Sequence, residues 1–249
     1  TVQIVADNAV ASTAGYFDST GQFYADAAGS TNIRVSDLSA AIASTDVRID
    51  ATGTISVDTA ANTSASTKAL TLVAGSTLTI SSGFSLRTGG ATSLTGTSVT
   101  INGPLTTSGT TLIYSNGSTG VNTIAADVKN LALNARTTFK SMGSNSNTTA
   151  ATIQTNKGPL VFWADSDGSL AGFNRTQNGS VFNTVNGAST DTPTDGGDIV
   201  FAGGATSDAS DYPSSFAWGD GSYSGFDAGY GATNKTFYYT GGGKLDRKS

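Results

Sequence analysis

The apolar residues of this chain fall in short alternating groups that return at regular intervals. In DVRIDATGTISVD, Val47 and Ile49 alternate with polar neighbours, a Thr-Gly turn follows, and Ile55 and Val57 alternate again eight residues later. ALTLVAGSTLTIS repeats the arrangement, with Leu70 and Leu72 answered by Leu78 and Ile80 across Ala74-Gly75. Looser copies follow with Val99, Ile101 and Leu105, then Leu131, Leu133 and Phe139, then Ile153, Leu160 and Phe162, and finally Ile199 and Phe201. A period of two predicts strands with one buried face. Strand groups that restart roughly every 20 to 40 residues predict one solenoid coil per unit. Val47, Ile49, Leu70, Leu72, Val99, Ile101, Leu131, Leu133, Phe162 and Ile199 are therefore expected to line one elongated core. Antiparallel hairpins would instead want two-residue turns between matched strands. Asn116-Gly117, Asn178-Gly179 and Asn186-Gly187 are present but lack such flanks. The predicted fold is all-β, a parallel β-helix (β-solenoid).

Two segments depart from the pattern. Ser36 to Ser44 places Leu38, Ala41 and Ile42 at helical spacing behind Ser36 or Asp37 as N-cap, which predicts one short helix or a loop bridging two coils. From Asp208 to Tyr239 the alternation is lost and Gly, Tyr, Phe and Trp accumulate. This divides the chain into solenoid coils over 1–207 and an irregular, aromatic and Gly-rich region over 208–249, which stays open between a long loop, a cap and a contact patch. GGGKLDRKS ends it like a linker.

Composition narrows the function. Thirty-one glycines and only 12% charged residues are unusual for a cytosolic globular protein, and all 18 acidic residues are Asp. The net charge of −5 with 13 scattered bases argues against nucleic acid and against an anionic membrane surface. No stretch approaches 18 apolar residues, so no membrane insertion is expected. TVQIVAD opens the chain without an initiator Met or a charged-then-apolar leader, which leads us to expect a mature or excised portion of a longer polypeptide. The absence of Cys is only permissive as to compartment.

Two phrases carry a family resemblance. DLSAAIASTDVRIDATGTISVD resembles the coil-entry phrase of filamentous-haemagglutinin-like proteins. GPLVFWADSDGSLAGF followed by GGDIVFAGGA is similar to a phrase of very large β-strand-repeat bacterial surface proteins. Together they span about Ser36 to Ala205. The resemblance implies a right-handed parallel β-helix within a secreted adhesin at the bacterial cell surface. No secretion-recognition domain is evident, and the aromatic segment after Asp208 matches no phrase of such families.

Candidate chemistry is sparse. Without His, Cys or Glu the chain lacks the commonest general base, the thiol nucleophile and the longer carboxylate, so no catalytic residue is assigned and no enzyme is expected. Asp165 and Asp167 within Asp-Ser-Asp-Gly are the best cation candidates, with Asp195 and Asp198 as second contributors if neighbouring loops meet. A plain turn explains the same residues, so calcium is the one cofactor left open. Tyr212, Phe216, Trp218, Tyr223, Phe226 and Tyr230 suit a glycan or a neighbouring subunit, or a plug for one end of the solenoid. Thr-x-Thr phrases suggest ice-binding ladders, but Thr52 and Thr54, Thr77 and Thr79, and Thr138 are expected to keep no common register. The sequons at Asn62, Asn116, Asn147, Asn174, Asn178 and Asn234 are expected by chance. The sequence thus points first to a structural or adhesive module of a large secreted surface protein, partnered by itself, by neighbouring segments or by surface glycans. A self-assembling filament or surface-layer subunit comes second, ahead of an ice-binding solenoid or a polysaccharide-active enzyme.

Overall fold

A computed structural model describes residues 1–9, 15–25, 29–167, 172–177, 179–185 and 196–203, together with strand segments 226–228, 238–240 and 245–246. The chain starts with β1 (Val2–Val5), β2 (Gly15–Phe17), β3 (Gln22–Ala25), β4 (Thr31–Arg34) and α1 (Val35–Ile42). It then winds as three strands per turn. The turns are β5 (Val47–Ala51), β6 (Ile55–Val57) and β7 (Ala61–Thr63); β8 (Leu70–Ala74), β9 (Thr77–Ile80) and β10 (Leu86–Thr88); and β11 (Thr92–Gly96), β12 (Ser98–Ile101) and β13 (Leu105–Thr107). Next come β14 (Thr111–Ser115), β15 (Val121–Ile124) and β16 (Val128–Leu133); β17 (Thr137–Ser141), β18 (Ser144–Asn147) and β19 (Thr152–Asn156); and β20 (Leu160–Ala164), β21 (Asn174–Thr176) and β22 (Val181–Asn183). β23 (Ile199–Gly203), β24 (Phe226–Ala228), β25 (Tyr238–Thr240) and β26 (Leu245–Asp246) follow.

Three parallel sheets result. Sheet 1 holds the first strand of each turn from β5 to β26, with the β2–β3 hairpin at its start; sheet 2 runs from β4 through β1 and β6 to β24, and sheet 3 from β7 to β25. Among the described strands, ladder pairing is parallel except between β2 and β3, with one isolated antiparallel bridge between Asn156 and Val185. The chain is therefore a β-solenoid, and its turns restart at residues 47, 70, 92, 111, 137 and 160. β24, β25 and β26 each extend a sheet, so strands recur within the stretch expected to be irregular.

Inward positions stack column upon column. In sheet 1, Ile49, Leu72, Leu94, Ile113, Phe139, Phe162 and Phe201 follow one another in register. The Phe139 and Phe162 rings lie 4.8 Å apart at 3°, and Phe162 and Phe201 4.9 Å apart at 10°. Isolated aromatic pairs prefer offset or edge-on contacts, but in-register strands about 4.8 Å apart impose the parallel stack. Phe182 closes the group edge-on against Phe162 and Phe201.

Sheet 2 changes chemistry partway along. Val2, Ile55, Leu78 and Val99 are succeeded in the same column by Asn122, Asn145 and Asn174, all buried. Burying an amide is costly unless it is bonded, and here the amides bond one another. Asn122 Nδ2 donates to Asn145 Oδ1 at 2.7 Å, and Asn145 Nδ2 to Asn174 Oδ1 at 2.8 Å. Ser115 Oγ donates to Asn122 Oδ1 and starts the ladder. Asn145 and Asn174 also donate to the carbonyls of Phe139 and Phe162, the aromatic residues of their own turns. A second polar column joins sheet 3 to the next turn of sheet 1 through Thr88 with Thr92, Thr107 with Thr111, and Asn130 with Thr137. At the corner from sheet 1 to sheet 2, Gly120, Gly143 and Gly172 succeed one another, and a Cβ on any of them would collide with the carbonyl oxygen of the residue one turn earlier.

Of the ten residues expected to line the core, eight are buried. Leu131 and Leu133 are not, being 45% and 65% exposed. The inward phase of β16 is set by Val128, aligned with Leu105 and Ile153, and by Asn130, whose Nδ2 donates to Gly109 O and Thr137 Oγ1. Leu131 is out of that phase, and the register shifts between Lys129 and Leu133. An inward Asn hid the true phase from hydrophobic counting.

The short helix is present and covers the first strand of sheet 3. Leu38 and Ile42, one turn apart, are buried, and α1 packs on β4 and β7. Its cap differs from the one expected at Ser36 or Asp37. Arg34 occupies the N-cap position without a side-chain bond, and Asp7, from the loop after β1, accepts the Ser36 amide at 2.8 Å. That amide, followed by the Ser36 hydroxyl, holds the Asp7 carboxyl below the usual carboxylate range, and Arg34 adds to the effect.

Two outcomes are expected. Asn145→Ala removes three buried hydrogen bonds and strands its partners, so denaturant unfolding should show a loss of about 2–4 kcal/mol, against about 0.5 or less for outward Thr100→Ala. Because the folded pKa of Asp7 is depressed, its contribution is present above the ordinary carboxylate range and is lost as pH falls through the folded value. Protection of the α1 amides, corrected for intrinsic exchange, should fall on acidification or in Asp7→Ala at neutral pH, while β8 to β15 stay protected.

Candidate functional site

Asp165 and Asp198, two of the four candidate cation ligands, lie at opposite ends of β20. Asp165 ends β20 in a left-handed backbone conformation (φ 51°) and is buried, its amide donating to Gly143 O at 2.9 Å while Ser166 N donates to Ser141 O. The Asp-Ser-Asp segment thus builds the corner stacked on the preceding turn. Asp198 lies before β23, its carbonyl accepting Leu160 N at 2.8 Å at the opposite end of β20. At about 3.3 Å per residue, that strand holds Asp165 and Asp198 more than ~10 Å apart. Asp195 lies outside the described residues. Among the described residues no three acidic, His or Cys groups gather to hold a metal.

Asp167 instead acts on the outer face of sheet 1. Burial first, and then the Asp167 charge, raise the phenol pKa of Tyr114. Tyr114, Lys140 and Trp163 succeed one another in register there, with Lys140 Nζ 5.1 Å from the Tyr114 ring centre and 4.6 Å from that of Trp163. Val161, Trp163, Val200 and Ala202 form a second apolar cluster on this outward side, each at most 2% exposed. Counting only Leu160 and Phe162 missed it. The signal was the unbroken apolar run LVFWA, which marks a strand buried on both faces.

The expected lack of a common register among Thr52, Thr54, Thr77, Thr79 and Thr138 holds, but the outer face of sheet 2 carries a hydroxyl column that joins Thr79 to other threonines. Thr79, Thr100 and Thr123 align directly, flanked by Ser56 and Ser146. The neighbouring column runs Thr77, Ser98, Val121 and Ser144, where Val121 interrupts the hydroxyls. Thr138 belongs elsewhere, buried on sheet 1. Two of the sequons are explained by packing, since Asn147 and Asn174 are buried and bonded inside the solenoid.

Tyr212, Phe216, Trp218, Tyr223 and Tyr230, the proposed contact residues, lie outside the described residues. Phe226 begins β24, its backbone in register with Asn174. No helix among the described residues is long and apolar enough to cross a membrane.

The strand order and pairing define a three-sheet parallel β-solenoid. Compared with known proteins, the chain matches no family model, no curated protein and no solved structure.

Since the described Asp groups form no shared oxygen cage, calcium in large excess is expected to change unfolding stability by less than about 1 kcal/mol, with chelator equally inert. A site filled at 100 times its Kd would add about 2.7 kcal/mol, which the same titration would reveal.

Proposed function

We propose that this chain is a non-enzymatic structural and adhesive module of a large secreted protein of the bacterial cell surface. The observation that supports it best is the stack of parallel turns, which gives three long outer faces, one of them with side chains that recur from turn to turn. On sheet 2 that face is a strip of hydroxyls running from Ser56 to Ser146. Binding spread over such a face gains from repetition, because many weak contacts act together at high effective concentration. The resemblance of the coil-entry and WADSDG phrases supports the same reading and its extracellular setting.

A self-assembling filament or surface-layer subunit is the second reading. It is favoured by β24, β25 and β26, each of which pairs on one side only among the described strands, leaving the other edge for a further strand. Contact energy in either case should concentrate on the aromatic residues, since each Tyr, Phe or Trp buries on the order of 150–250 Å² whereas Ser, Thr and Gly offer little.

Electron microscopy of the purified chain separates the readings: isolated rods fit the module and regular filaments the subunit, while compact particles fit neither. Replacing Tyr212, Trp218 and Tyr223 together by Ser should abolish adhesion or assembly and leave the β-rich circular dichroism intact. Loss of the β signal would make these residues part of the fold and move the search for the contact surface to the outer faces.

A further inference from the structure

At its N-terminal end the solenoid carries a cavity of about 470 Å³ where the β2–β3 hairpin, β4 and α1 meet. Its size lies within the range of small-molecule sites. Phe23 and Ile33, 5% and 2% exposed, are its apolar lining, with Phe17 packed edge-on against Phe23 at 5.0 Å. Tyr16, 56% exposed, also lines the cavity, its ring stacked on that of Tyr24 at 5.7 Å.

Three charged groups complete the lining, Asp18, Arg34 and Asp37. Arg34 spends one terminal nitrogen on the carbonyl of Ala9 at 3.3 Å, and its Nε is shielded from solvent with no hydrogen-bond partner. Arg34 lines the cavity, and of the guanidinium's five N–H donors only one terminal nitrogen is spent on Ala9, so it has donors to offer a ligand. Asp37, exposed in the first turn of α1, offers an acceptor close by. Apolar rings, a guanidinium with donors to spare and carboxylates suit a ligand with an apolar face and hydroxyls that both accept and donate. An anion is disfavoured, since Asp7 already interacts with Arg34 and Asp18 and Asp37 share the lining.

We propose that this cavity binds one neutral sugar unit of a glycan, its hydroxyls accepting from Arg34 and donating to Asp37 while a ring face lies against Tyr16 or Phe17. The inference deepens the adhesive reading and rests on it for its biological role, but the cavity can be tested alone.

Glucose, galactose, mannose and N-acetylglucosamine, with glucuronic and sialic acid as charged comparators, should be titrated against the whole chain by saturation-transfer NMR and calorimetry. At least one neutral sugar should bind, with Asp37→Ala and Tyr16→Ala each weakening it at least fivefold, and Thr100→Ala on sheet 2 leaving it unchanged. Circular dichroism and α1 amide protection would confirm that the variants are folded. No binding by any neutral sugar, binding that survives the Asp37→Ala/Tyr16→Ala double variant, or tighter binding of the acids would each overturn the proposal. Attachment of the whole chain to cells, measured separately, judges the adhesive reading: attachment without sugar binding sinks the cavity alone, and sugar binding without attachment sinks the adhesive reading alone.

Discussion

The backbone of one turn in this chain finds its hydrogen-bond partners almost entirely in the turns before and after it. Unlike a helix, which closes its bonds locally, or a hairpin, which closes them across a short loop, each strand from β5 onward pairs with residues 19 to 57 positions away. A buried amide or carbonyl without a partner is costly, so successive turns must stay in register at every strand. Register then places each inward side chain directly over its counterpart one turn earlier. Columns of like residues follow, aliphatic, aromatic or amide, because a stacked position is filled by whatever packs best against itself. The corner glycines obey the same constraint, since the turns approach so closely there that a Cβ would meet a carbonyl.

Seen this way, the change in the core from the fourth turn onward is a coordinated exchange. Asn122, Asn145 and Asn174 replace branched aliphatics in sheet 2, and Phe139, Phe162 and Phe201 replace Leu and Ile in sheet 1. Asn resembles Leu in size but cannot sit against hydrocarbon without its bonds, and the ladder supplies them from the amides above and below and from the Phe carbonyls of the same turn. The larger rings fill the facing side of the cross-section. An interior held by directional bonds tolerates register slip less than one held by contact alone, because a slip of one residue would break every bond in the ladder.

This also explains how much of the molecule was legible in the sequence. Strands with an aliphatic inward face, such as Val47 and Ile49 or Leu78 and Ile80, announce both their existence and their phase. Strands whose inward face is polar announce neither: SNSN of β18 reads as a loop, yet Asn145 and Asn147 point into the core. The same blindness shifted β16 by one residue and put Leu131 and Leu133 on the wrong side. The threonine register was hidden for a related reason, since turns of unequal length bring Thr79, Thr100 and Thr123 together at intervals that no fixed sequence period reveals. The outward cluster around Trp163 was visible in principle as an unbroken apolar run. The N-terminal cavity was not visible, because the hairpin, β4 and α1 that form it are adjacent only through the fold.

The N-terminal end of the solenoid is physically unlike its coils. At the N-terminal end α1 lies over the first strand of sheet 3, and an antiparallel hairpin closes sheet 1. These elements break the rule of parallel stacking, and a break in periodicity is what creates space of a shape the coils cannot offer. Along sheet 2 the outward hydroxyls of Ser56, Thr79, Thr100, Thr123 and Ser146 recur turn after turn, so a ligand bound there meets similar chemistry at each turn and gains through number. In the cavity Arg34, Asp37 and the hairpin aromatics occur once, so a ligand bound there can be selected by the placement of single groups. A surface module that must both hold on along its length and discriminate at one point would need both kinds of site, and the solenoid with its irregular end supplies a location for each.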